Sequence, residues 1–129
     1  MIDRDALLDD LKRLLKRLES DLRERCAEVP EIGQKLKKDH DAAVAAKRTG
    51  KTFEEWRSDE ITQVAVAWVL SSVFVRFLED NRLVDPPRIA GPVAAQAGGE
   101  NRLGRARDEH EIYIRRHPAH SDREYLLWI

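Results

Sequence analysis

No intrachain disulfide can form in this chain, because Cys26 is its single cysteine; that fits a reducing, cytoplasmic setting. Cys26 lacks the surroundings of a catalytic thiol and reads as a small surface or interface residue on the first helix. Only six glycines and five prolines punctuate 129 residues, which favours a soluble all-helical domain. No charge of one sign dominates. The net charge of −1 excludes a bulk pull toward nucleic acid or anionic lipid, so any such contact must come from a local patch. No basic, apolar leader opens the chain: MIDRDALLDD is acidic and amphipathic, unlike a signal peptide. No long hydrophobic run is present either. Residues 64–75, interrupted by Ser71 and Ser72 and ended by Arg76, would rise roughly 18 Å as a helix, short of the ~30 Å hydrocarbon core. The run reads as a buried core helix rather than a membrane span. No internal repeat appears.

What is present is helical patterning. The length suits one domain, residues 1–129, able to bury roughly two-thirds of its unfolded surface. Helix 1 is expected over Arg4 to Glu28 with Asp3 as N-cap. Its Leu7, Leu8, Leu11, Leu14, Leu15, Leu18 and Leu22 make one stripe, and its other face mixes seven basic with eight acidic residues, counting Asp3. Pro30 suits the first turn of a second helix, with Gly50 as its C′ residue. Thr52-Phe53-Glu54-Glu55 reads as a capping box. It opens a short turn anchored by Phe53 and Trp56, before a long helix over residues 59–80. The β-branched valines of that run make strands an alternative, but its unbroken length favours helix. Trp68, Leu70, Phe74 and Phe77 are expected inside, packed on the leucine stripe, with Asn81 capping the helix end in the left-handed region. Residues 84–104 carry the breakers Pro86-Pro87, Gly91-Pro92 and Gly98-Gly99 and read as a mobile surface excursion. A further helix ends at Arg116, and Ser121-Asp122-Arg123-Glu124 starts another. The fold expected is an all-α bundle of four to five helices around one long buried central helix.

Little of the sequence carries chemistry. Asp85-Pro86-Pro87-Arg88 approaches the Asn/Asp-Pro-Pro-aromatic tetrapeptide with which amino-methyltransferases hold a flipped base. Its fourth residue is Arg88, no strand precedes it, and no Gly-rich cofactor loop lies upstream, so it reads as a turn. His40, His110, His117 and His120 lack zinc-site spacing. There is no P-loop, no Ser-His-Asp arrangement and no paired-carboxylate site. No catalytic, cofactor-binding or metal-binding residue is therefore assigned. The most basic local stretch is 101–117, where Arg102, Arg105, Arg107, Arg115 and Arg116 face three acids, Asp108, Glu109 and Glu111. That excess of two positive charges could meet DNA phosphates. A solvated helix with i,i+4 ion pairs explains the same residues. The apolar end Tyr125-Leu126-Leu127-Trp128-Ile129 is expected to fold back on the helices or to mediate self-association. As a helix stopped in its second turn, it reads as a piece of something larger.

Three blocks carry a resemblance: MIDRDALLDDLKRLLKRLESDLRER, TFEEWRSDEITQVAVAWVLSSVFVRFLEDNRLVDPPRIAGP and RDEHEIYIRRHPAHSDREYLL. Their order and spacing resemble the N-terminal region of the phage growth limitation (PglX) family, adenine-specific DNA methyltransferases of BREX type 2 phage defence. The resemblance does not place residues 93–103. It implies a helical N-terminal domain followed by a methyltransferase part that uses S-adenosylmethionine, with other phage-defence proteins as further partners. The sequence stops short of the family's cofactor loop and catalytic tetrapeptide, so none of its catalytic residues is carried over. By this reading the chain itself is non-catalytic, has no cofactor of its own, and helps to clamp DNA or dock a partner. The alternative is a stand-alone helical protein–protein interaction module without a DNA role.

Overall fold

A computed structural model describes residues 3–90 and 102–129. Among them the chain is all-α, with five helices and no strand: α1 (Arg4–Glu28), α2 (Pro30–Ala45), α3 (Phe53–Asp80), α4 (Arg102–Arg116) and α5 (Asp122–Trp128). It divides into two compact units, Met1–Leu70 and Ser71–Ile129, and α3 contributes to each.

In the first unit, α1 begins where its cap predicts. The Asp3 carboxylate accepts the Asp5 and Ala6 N–H groups, both at 3.1 Å, satisfying donors that the first turn cannot pair internally. Its second half meets the other helices: Glu19 accepts the Thr62 hydroxyl at 2.5 Å, and Arg23 reaches Ser58 at 3.4 Å. Leu15, Leu18 and Leu22 are half-buried there, whereas Leu7, Leu8 and Leu14 are exposed. The leucine stripe is thus covered over only part of its length. Pro30 takes the N1 position of α2. His40 is buried and shares Nε2 with the Lys51 carbonyl at 3.0 Å. Its ring lies 5.6 Å from both Phe53 and Trp56, so those two aromatics do anchor the start of α3. Ile61, Ala65 and Val69 are the buried stripe of this part of α3.

The ends of α2 and α3 differ from expectation in the same way. Lys47, not Gly50, takes the left-handed position after α2 with φ 56°. Its N–H bonds the Val44 carbonyl and that of Arg48 the Ala43 carbonyl, both at 2.9 Å. This pair of bonds is the Schellman arrangement. After α3, Arg82 rather than Asn81 holds the left-handed position, also at φ 56°. The Asn81 amide instead donates to the Phe77 carbonyl at 2.8 Å. A helix end is placed by where tertiary contact stops, and a side chain at φ > 0 then tolerates a modest strain. Lys47→Gly should relieve that strain and stabilise the protein by about 0.5–1 kcal/mol. A urea midpoint that stays put or falls would show that the lysine is not strained.

Two further expectations about α3 are corrected. It starts at Phe53 without a separate turn, since the Glu55 carboxylate accepts the Thr52 N–H at 3.0 Å and the Thr52 hydroxyl accepts the Glu55 N–H at 3.3 Å. That box nucleates one continuous helix. Among the described residues it holds more buried residues than any other helix, Ile61, Ala65, Val69 and Glu79, but not the aromatics expected inside. Leu70, Phe74 and Phe77 are 60%, 61% and 56% exposed, and Trp68 is half-buried. A helix that is apolar on most sides does not reveal which side its neighbours occupy. At 28 residues α3 is long and apolar enough to cross a membrane on length and composition alone.

Candidate functional site

The second unit is organised around a buried acid. Glu79 is fully buried on the last turn of α3. After the left-handed Arg82 the chain doubles back through Asp85, Pro86 and Pro87. Two prolines present no N–H, so the first donors to need an acceptor are those of residues 88–90. The Glu79 carboxylate takes all three: Arg88 at 2.5 Å and Ile89 at 2.6 Å on Oε1, Ala90 at 2.9 Å on Oε2. Arg76 lies 3.7 Å from the same carboxylate and bonds Asp80 at 3.1 Å. Pro87 is buried beside them. Residues 84–90 of the segment read as mobile are thus tied to the end of α3, and residues 91–101 lie outside the described residues. The Asp85-Pro86-Pro87-Arg88 stretch is a structural turn in this arrangement.

Arg88 connects that turn to the remaining helices. Its guanidinium bonds Glu109 at 2.8 Å and lies 4.7 Å from the Trp128 ring. Its carbonyl accepts the Tyr125 hydroxyl at 2.8 Å. Burial pushes the Tyr125 phenol up from its ordinary pKa, so at neutral pH it stays protonated and donates. Around Tyr125 are ring contacts with His110 at 4.9 Å and Tyr113 at 5.2 Å. Tyr113 bonds His120 through its hydroxyl at 2.7 Å, and the His117 and His120 rings stack at 5.0 Å. α5 starts on Ser121, whose N–H donates to Glu124 at 2.8 Å. Hydrogen bonds from the Ser121 hydroxyl and from backbone N–H groups hold the Glu124 carboxyl down to about 2. A cleft of about 280 Å³ opens beside this cluster, lined mainly by Arg88, Arg107, His110, Tyr125 and Leu126. No spacing rule links Arg88 to Trp128 forty residues on, and the sequence marks Arg88 only as the place where an aromatic is missing.

The five arginines nominated for phosphate contact all fall in α4, which Arg102 opens. Arg105 pairs with Asp85 at 3.2 Å and Arg115 with Glu111 at 3.1 Å. Arg107 and Arg116 are exposed and form no ion pair among the described residues. At 100° per residue, Arg107 and Arg116 project from opposite sides of the helix, while Arg115 and Arg116 are neighbours at its exposed end. The five do not form one stripe. The cluster with the densest positive charge is Arg115-Arg116, in the last turn, where the helix dipole also favours cations.

Sequence comparison supplies the rest. The whole chain is 40% identical to a protein of Streptomyces coelicolor named adenine-specific methyltransferase PglX, over the N-terminal 10% of that protein. The chain is homologous to the PglX N-terminal region. It spans about a tenth of the length of that curated relative. No protein-family model matches the chain, and no solved structure does. The all-α fold is therefore read from the chain's own helices.

Proposed function

We propose that this chain is the non-catalytic helical N-terminal part of a phage-defence adenine-specific DNA methyltransferase, and that it helps to hold the enzyme on DNA. The observation that carries the reading is the 40% identity, over all 129 residues, to the start of the Streptomyces protein. S-adenosylmethionine and the methyl transfer belong, on this reading, to the larger part of such an enzyme. The described residues offer phosphate a limited surface, the exposed Arg115-Arg116 end of α4, with Arg107 on another side. No cluster of Asn or Gln suited to reading base edges accompanies them, so binding through them is sequence-independent and strongly salt-dependent. The test is a fluorescence-anisotropy titration of a DNA duplex with wild-type protein and with Arg115→Ala plus Arg116→Ala. The double variant should bind more weakly, and the salt slope should flatten by about 2, one unit for each phosphate no longer neutralised by an arginine. Equal affinities and equal slopes would leave α4 a solvated helix. Docking of a protein partner is the second reading, favoured by the exposed apolar residues of α3.

A further inference from the structure

We propose that the open apolar face at the C-terminal end of α3, formed by Val73, Phe74, Phe77 and, just past the helix, Leu83, is the seat of the methyltransferase part of the same polypeptide. The inference rests on the reading of the chain as the start of such an enzyme and adds to it the surface that joins the two parts.

The face is apolar where a solvated helix would be polar. Phe74 is 61% exposed, Phe77 56% and Leu83 66%, and Val73 is 37% exposed. The opposite side of the same helix turn carries the buried Glu79, about 200° around from Phe77. Between Glu79 and the two rings polarity is thus inverted, the acid inside and the aromatics outside, with the paired Arg76 and Asp80 at the edge of the face. Two phenylalanines more than half open, with Leu83 and Val73, present roughly 300–400 Å² of apolar surface, the size of a functional patch on a monomer. Three occupants could cover it. A second copy of the chain would need about 800 Å² on each partner for a stable interface, roughly twice what the patch offers. A lipid bilayer could take α3 on length and composition, but this patch carries charge: Arg76 and Asp80, joined in an ion pair, lie between Phe74 and Leu83. A tethered domain needs far less area. Contact within one polypeptide forms at an effective concentration in the millimolar range, so a small apolar patch is enough to seat it. The Streptomyces relative has nine-tenths of its length outside the matched stretch, and that length contains the candidate occupant.

The experiment replaces the N-terminal tenth of the Streptomyces protein with this chain, either wild type or carrying Phe74→Ser plus Phe77→Ser, and measures the rate at which trypsin releases the N-terminal region. If the face seats the remainder, the double variant should release it about tenfold faster, because cleavage tracks the undocked population. Phe74→Leu plus Phe77→Leu, which keeps the face apolar, should stay near the wild-type rate. The 129-residue chain alone should keep its thermal midpoint in the Ser variant, since both rings are exposed there. Equal release rates for wild type and Ser variant would overturn the proposal, whatever their cause. So would flotation of the isolated chain with anionic liposomes, or its sedimentation as a dimer, if either is abolished by the Ser substitutions; the face would then belong to lipid or to a second copy. Loss of DNA methylation by the wild-type chimera with protease protection intact would count against the functional reading and leave the docking surface standing.

Discussion

Replacing Glu79 with Ala should destabilise the second unit by about 3–5 kcal/mol, the usual cost of breaking a fully buried charged network. The carboxylate is the acceptor for three consecutive backbone N–H groups, at 2.5, 2.6 and 2.9 Å. Alanine leaves all three without it, and each buried donor that finds no substitute costs about 1–3 kcal/mol. Arg76 keeps Asp80, so the arginine is not stranded, and this holds the total near the lower end of the simple sum. Glu79→Gln separates charge from shape. Its one carbonyl can still receive two of the three donors, so a loss of about 1–3 kcal/mol is expected. Urea unfolding gives the energies. Hydrogen exchange at the Arg88, Ile89 and Ala90 amides gives the location: slow in the wild type, fast in Glu79→Ala. A destabilisation below about 1 kcal/mol with those amides still protected would mean that the turn is held by other contacts.

Glu79 also marks the limit of what the sequence discloses. Local signals with a short-range mechanism are legible. The Asp3 cap, the Thr52–Glu55 box, Pro30 at the first turn of α2 and the Ser121 start of α5 all act within three or four residues, and each helix begins where they stand. The number of helices and the absence of strand among the described residues follow from the same signals. The interior does not. Hydrophobic patterning expects Phe74 and Phe77 inside, and the structure exposes both and buries Glu79 instead. What decides it is a set of three backbone donors nine to eleven residues further on, which no helical periodicity encodes. The candidate site divides in the same way. The sequence finds the arginines of α4 and the i,i+4 pairing that joins Arg115 to Glu111, but the Asp85 partner of Arg105 becomes visible only in three dimensions. Arg88, with no helical neighbour to mark it, is missed.

Tyr125→Ala should cost about 3–5 kcal/mol, the range for deleting a large buried aromatic, and should release α5. That helix has seven residues, far below the length at which a helix persists alone in water, so it depends on what it packs against. Tyr125 is the buried residue of α5. Its ring meets His110 and Tyr113 on α4, and its hydroxyl meets the Arg88 carbonyl on the turn held by Glu79. The same side chain therefore joins three pieces of the unit. Tyr125→Phe isolates the hydroxyl and should cost about 1 kcal/mol, the net worth of one hydrogen bond. Leu127→Ala, two residues on but 62% exposed, should fall within about 0.5 kcal/mol of wild type. Trp128 reports the outcome directly, because its ring lies 4.7 Å from the Arg88 guanidinium only while α5 is docked. Its emission should shift to the red in Tyr125→Ala at temperatures where the helical circular dichroism of the other four helices is unchanged. If Leu127→Ala proved as costly as Tyr125→Ala, the apolar end of the chain would be held by general hydrophobic contact rather than by the tyrosine.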